Sequence, residues 1–366
     1  MRCVTVETTE RPPSVTTDGD GALTLSGHTG HVTCVAASND GHIVTGSQDT
    51  TVKVWRGKWP VTHLVRTIEA HTDTVRALAV LPGGVRFISG SLDGTAKLWT
   101  FGGELERTFA VGSVVYSIAA LPGGTQFVVG LGAGPSQGEV RLYHVDGTLA
   151  HTFRGHVDTV LALAVTRDGQ RVVSGSVDKV AKVWGVASRF LVSTSGHFES
   201  VLAVAAMPDG QRFLSGSVDE VNVWLLNGTH ENSFGLMHAG TVTALVALPD
   251  NKHALAGSRS KKVKLFNVDD GDVLRIFTHH TEQVFCLALL PDGRRFVSGS
   301  MDQTARIVEI GLEETRHSIA WPGATLAHEA ASSRQHLLAA ASAAGVPVAQ
   351  SRPRPIAELR SRSAVG

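Results

Sequence analysis

The stretch SGSVDKVAKVW, Ser174 to Trp184, decides how this chain is read. With His156 upstream in GHVDTV it supplies a serine, an aspartate and a histidine, the trio that activates a nucleophile in hydrolases when geometry gathers the side chains. The pattern is not unique, however. SGSLDGTAKLW (Ser89 to Trp99) and SGSVDEVNVW (Ser215 to Trp224) repeat it, and TGSQDTTVKVW (Thr45 to Trp55) and SGSMDQTARIV (Ser298 to Val308) are close variants. A residue set that recurs in register belongs to how each unit folds, which argues against the Ser-His hydrolase alternative.

Aligned on the final aromatic position, the units end at Trp55, Trp99, Tyr143, Trp184, Trp224, Phe266 and Val308, at intervals of 40 to 44 residues. That is the period of a four-stranded propeller blade, repeated seven times. Strand signals inside a unit agree. An apolar run such as VRALAVL (Val75 to Leu81) or VLALAV (Val160 to Val165) closes at Pro82-Gly83, Asp168-Gly169, Asp209-Gly210 or Asp292-Gly293. A second strand follows (Arg171 to Ser176), then a tight turn at the Asp, a third strand ending at the Trp, and a fourth such as LERTFA, Leu105 to Ala110.

With GH at the front, S-x-D in the middle and Trp at the end, these units resemble WD40 repeats over residues 22 to 310. The resemblance implies an all-β, seven-bladed propeller of four-stranded antiparallel blades. It also implies one buried, hydrogen-bonded side-chain set per blade: His28, Thr45, Asp49 and Trp55; His71, Ser89, Asp93 and Trp99; His156, Ser174, Asp178 and Trp184; His197, Ser215, Asp219 and Trp224; and a truncated set of His280, Ser298 and Asp302, ending in Val308. A buried Asp or imidazole is costly unless each polar atom finds a partner. Unit three departs, with Val111 for His, Tyr143 for Trp and a mobile loop expected from Gly130 to Gly138. Unit six keeps His238 but carries Ala256, Ser260 and Phe266. Unit five is one residue shorter between Asp219 and Trp224, which leaves its register open.

An open row of blades would leave sheet edges bare, so the ring is expected to close. ALTLS (Ala22 to Ser26) is the favoured clasp and RHSIAW (Arg316 to Trp321) the competing strand. Residues 1–21 read as a flexible lead-in. Residues 311–366 read as a largely disordered Ala/Ser/Arg-rich tail, with one marginal helix from Ala324 to Ala344.

Lys plus Arg number 33 and Asp plus Glu 33, so no net charge points to nucleic acid or an anionic membrane, apart from weak contact through tail arginines such as Arg352 and Arg354. Cys3, Cys34 and Cys286 are too few for a disulfide framework or a zinc cluster, and cytosolic or nuclear residence is expected. Six of the seventeen histidines front separate blades and cannot converge on one ion, so neither metal nor other cofactor is expected. The glycines read mostly as turn markers.

What remains is recognition. The resemblance places partner contacts on the face carrying the His and Asp loops, at the residue after the first-strand Val and the residue before the turn Asp. Among these, Arg76, Leu92, Tyr116, Leu161, Val177, Leu202, Val218, Phe285 and Met301 are the candidates; Thr33, Thr243, Gln48 and Arg259 share the positions. The expected role is a non-catalytic scaffold or adaptor for proteins or peptides, monomeric or within a larger complex; an adaptor in ubiquitin-dependent turnover is the alternative.

Overall fold

The computed structural model describes residues 13–17, 21–58, 60–132, 137–235 and 240–312. Among the described residues every regular element is a strand. The strands form seven antiparallel sheets, six of four strands and one of five. Blade four is typical, with strands Val160–Val165, Arg171–Ser176, Val180–Gly185 and Leu191–Gly196 paired in sequence order. The inner strands of successive blades lie side by side, and the inner strand of blade seven, Val284–Leu289, meets that of blade one, Val32–Ala37. The fold is thus a closed seven-bladed propeller.

Closure comes from the N-terminal side. Leu23–Ser26 pairs with the third strand of blade seven, Leu23 opposite Ile307 and Leu25 opposite Ala305. Ser14–Thr17 then adds a fifth strand outside the clasp, Ser14 opposite Ser26 and Thr17 opposite Leu23, so this part of the lead-in is paired. The physical reason is that the clasp would otherwise present an unpaired edge. His238, the competing strand Arg316 to Trp321 and the tail helix Ala324 to Ala344 lie outside the described residues. In blade three the second strand runs on through Gly132, so Gly130 to Gly132 are strand and not loop, and residues 133–136 are outside the description.

The core lies between blades. Val160, Val172 and Trp184 of blade four pack with Val128, Val140 and Phe153 of blade three. The joint depends on the glycine at the matching place in each second strand. A Cβ on Gly175 would stand 2.6 Å from Val201 Cγ1 of blade five, and the same approach recurs from Gly46 to Val75, Gly90 to Val115, Gly130 to Val160, Gly216 to Val242 and Gly257 to Val284, closing at Gly299 against Val32. These seven glycines are interblade contacts, apart from those that mark turns.

The candidate binding face

In blade four, Trp184 Nε1 is 2.8 Å from Ser174 Oγ, which is 2.7 Å from His156 Nε2, and His156 Nδ1 is 2.8 Å from Asp178 Oδ2. Blade one gives Trp55, Thr45, His28 and Asp49 at 3.0, 2.8 and 2.8 Å, and blade two gives Trp99, Ser89, His71 and Asp93 at 2.9, 2.7 and 2.8 Å. One direction of donation satisfies the whole chain. The indole can only donate and the carboxylate can only accept, so Trp donates to Ser, Ser to His Nε2, and His Nδ1 to Asp, with the imidazole neutral. Burial pushes the His71 and His156 pKa below the ordinary value, against the pull of Asp93 and Asp178, and so favours that neutral form. At Asp49 burial acts to raise the pKa, but hydrogen bonds from His28 and Thr51 outweigh it and hold the carboxyl well below the usual range; Asp302 behaves alike with His280 and Thr304.

This is the connectivity of a hydrolase triad, yet Ser89, Ser174 and Ser215 are 0 % exposed and each hydroxyl already accepts an indole N–H. No substrate carbonyl can reach them in this arrangement. In blade seven His280 bridges Ser298 and Asp302 at 2.8 Å each, and Val308 offers no donor. Blade five differs from expectation: His197 meets Glu220 at 3.2 Å, not Asp219. Its shorter turn leaves Asp219 at a φ of 59° and brings the next residue round to the imidazole. In blade three, Arg141 takes over, bonding the Val111 carbonyl at 2.8 Å and Glu139 at 2.7 Å. Unanticipated partners include the second serine of the motif, whose hydroxyl ties the turn to the His loop (Ser91 to Asp73 O, 3.1 Å; Ser176 to Asp158 O, 3.1 Å), and Thr51, Thr95 and Thr304, which bond the Asp. Their recurrence at fixed offsets was the available signal.

Around the axis, a bulge makes the face. The pairing of the first two strands skips one residue at Thr33, Arg76, Tyr116, Leu161, Thr243 and Phe285. A bulged residue is re-aimed out of the ladder. These residues, with Leu202 and Arg259, line the mouth of a cavity of about 250 Å3 along the axis. Thr33 is buried with its hydroxyl bound to Gly46 O at 3.1 Å and to Val75 O of blade two, so it stabilises the joint between blades one and two. Cys34 and Cys286 follow the bulge and face the cavity wall; burial pushes the Cys34 thiol up to about 12 and Cys286 well above its ordinary value, so neither carries a thiolate.

Leu92, Val177 and Met301 do not line the cavity. They sit half-buried in the outer ring of turns, their N–H groups bonded to Thr74, Thr159 and Gln283 carbonyls at 3.1, 3.0 and 2.9 Å. Val218 is exposed in the same ring. Sequence reasoning missed two more exposed apolar side chains in the loops of blades four and five. Val157 and Phe198, which follow the front histidines of blades four and five, are 83 % and 88 % exposed, where blades one, two and seven carry Thr29, Thr72 and Thr281. Ser200 Oγ bonds Val177 O at 3.4 Å and Lys179 pairs with Glu199 at 3.6 Å, so the blade-five loop lies against the blade-four turn.

A closed ring of blades, most of them held by a buried His, Ser or Thr, carboxylate and Trp, defines a repeat propeller. The repeat profile described as "WD domain, G-beta repeat" matches residues 20–56, 62–100, 147–185, 188–221, 233–267 and 271–309, more than half of the chain, and the chain belongs to that family. The divergent blade three falls between the matched segments. Similar proteins include a guanine nucleotide-binding protein subunit beta of Zea mays, 32 % identical over 43 % of this chain and 45 % of its own length. The small ribosomal subunit protein RACK1y of Oryza sativa subsp. japonica is 29 % identical over 44 % of this chain and 49 % of its length. Pre-mRNA-processing factor 19 homolog 2 of Arabidopsis thaliana is 29 % identical over 44 % and 31 %. The matched region is thus less than half the length of each of these relatives. No helix among the described residues is long and apolar enough to cross a membrane.

Proposed function

We propose that the protein is a scaffold which holds protein or peptide partners on its loop face in the cytosol or nucleus and performs no chemistry of its own. The observation that carries this reading is the exposure of Val157 and Phe198, where sister blades place threonine, and of Val218 in the blade-five turn. Large apolar side chains held out on an otherwise polar loop ring cost solubility and are worth keeping for contact. The cavity lining adds Leu161 and Leu202 together with Arg76, Tyr116 and Phe285, and the turns add Leu92, Val177 and Met301; the Arg, Tyr, Phe and Met among them are types enriched at interfaces. The named relatives, a G-protein subunit, a ribosomal subunit protein and a processing factor, support membership of assemblies as the common use of this ring.

The test compares the proteins captured by the wild-type chain with those captured by Phe198→Asp, Val218→Asp and Tyr116→Ala variants. Capture is expected to fall while the thermal midpoint barely moves. A collapse in melting temperature with no selective loss of capture assigns these residues to the core and removes the proposed face.

A further inference from the structure

The lining of the axial cavity carries positive charge although the whole chain has no net charge. We infer, resting on the loop-face reading above, that the partner docks as an extended acidic peptide segment: an apolar side chain enters the axial cavity and flanking carboxylates meet Arg76, Arg259 and Lys262.

The first support is the cavity itself. Its lining contains two guanidinium groups, Arg76 on blade two and Arg259 on blade six, and no carboxylate. The cavity holds about 250 Å3 between apolar groups such as Leu161, Leu202 and Phe285, room for a side chain or two. Blade six adds the second support. Its turn reads SRSKK, Ser258 to Lys262, with Ser260 where blades one, two, four and seven carry Asp49, Asp93, Asp178 and Asp302. Substituting the acid leaves three cations in one turn, of which Lys261 is paired with Glu282 at 3.0 Å. Among the described residues, the side chains of Arg76, Arg259 and Lys262 have no hydrogen-bond or ion-pair partner.

Thirdly, the acids of the loops and turns, including Asp73, Asp158 and Asp219, which have no ion-pair partner among the described residues, all lie outside the cavity lining. Asp49, Asp93, Asp178 and Asp302 are held by histidines, Glu220 by His197 and Glu199 by Lys179. Within the cavity lining Arg76 and Arg259 therefore meet no carboxylate, and one arriving beside an apolar anchor gains charge-assisted hydrogen bonds to guanidinium. A phosphate backbone fits less well. Nucleic acid is held by a cationic track along the strand, whereas three cations around an aliphatic and aromatic mouth suit discrete side-chain charges.

The experiment selects binders to the full chain from a library of random dodecapeptides. Enrichment of Asp and Glu next to an apolar residue is expected. Selected peptides should bind about tenfold more weakly to the Arg76→Ala/Arg259→Ala/Lys262→Ala variant, the loss of about 1.4 kcal/mol, and should weaken as salt is raised. Thermal unfolding of wild type and variant shows that the ring is intact. Selected peptides without acidic enrichment that still fail to bind Phe198→Asp overturn the acidic inference and leave the docking face standing. Peptides indifferent to both variants overturn the two together. Displacement of the peptides by oligodeoxythymidylate, tighter than the peptides and lost in the triple variant, reassigns the cations to nucleic acid and overturns the inference as well.

Discussion

At the scale of residues, the hydrogen-bonded chain from Trp to Asp explains why the four side chains recur and why none is free for chemistry. Trp184 is 2 % exposed and fills the joint with blade three while its N–H occupies Ser174. Trp184→Ala should cost about 3–5 kcal/mol, mostly cavity. Trp184→Phe keeps much of the area and removes the donor, a loss of about 1–2 kcal/mol. Urea unfolding ranks the two, and a Trp184→Phe protein as stable as wild type would show that the hydrogen bond contributes nothing. The histidines set the response to acid. Burial lowers the folded pKa of His71, His156 and His197 below the ordinary 6.5, so the unfolded chain binds these protons first. Their contribution is complete above about pH 6.5 and is lost as pH falls toward the folded values. Asp93, Asp49 and Asp302, held below the ordinary 3.8, continue the loss at lower pH. Stability from urea titrations should decline steadily from pH 6.5 to 4, and a flat profile would contradict neutral buried imidazoles.

At the scale of elements, the second strand is the most constrained because two blades read it at once. Its serine serves its own tryptophan and histidine while its glycine receives the next blade's valine. Gly175→Ala places a methyl 2.6 Å from Val201 Cγ1 and should destabilise by about 1–3 kcal/mol. Combining it with Val201→Ala should recover part of that loss relative to additivity, read by a double-mutant cycle in urea. Strict additivity would mean that the two residues do not share the joint. The inner strand shows the other use of an element: a bulge that interrupts pairing at Arg76, Tyr116, Leu161 and Phe285 turns what would be ladder positions into the lining of the axial cavity.

At the scale of the whole molecule, closure couples the first strands to the last. Leu23 and Leu25 are 1 % and 2 % exposed and lie with Trp55 of blade one and Ile307 of blade seven, so the clasp belongs to a core that spans the seam. Leu25→Asp buries an unpaired carboxylate there and should lower the urea midpoint more than the same change in an exposed strand, such as Leu105→Asp. It should also favour association in gel filtration, since an opened seam bares strand edges. A monomeric Leu25→Asp protein with an unchanged midpoint would show that the seam does not depend on this strand.

The sequence alone determined the blade count, the strand order inside a blade and most of the buried chain, because each is a local pattern repeated at a fixed period and repetition filters out coincidence. It also marked the clasp at residues 22 to 26, since strand-forming residues stood just before the first blade. Only the tertiary structure decided that Glu220 replaces Asp219, that Arg141 stands in for the missing network of blade three, that seven glycines are contacts and that Phe198 and Val157 face solvent. Those facts depend on which residue of one blade meets which residue of the next, and on how a shortened turn swings a side chain. Spacing along the chain carries neither, because both are settled by packing across the joint after the ring has closed.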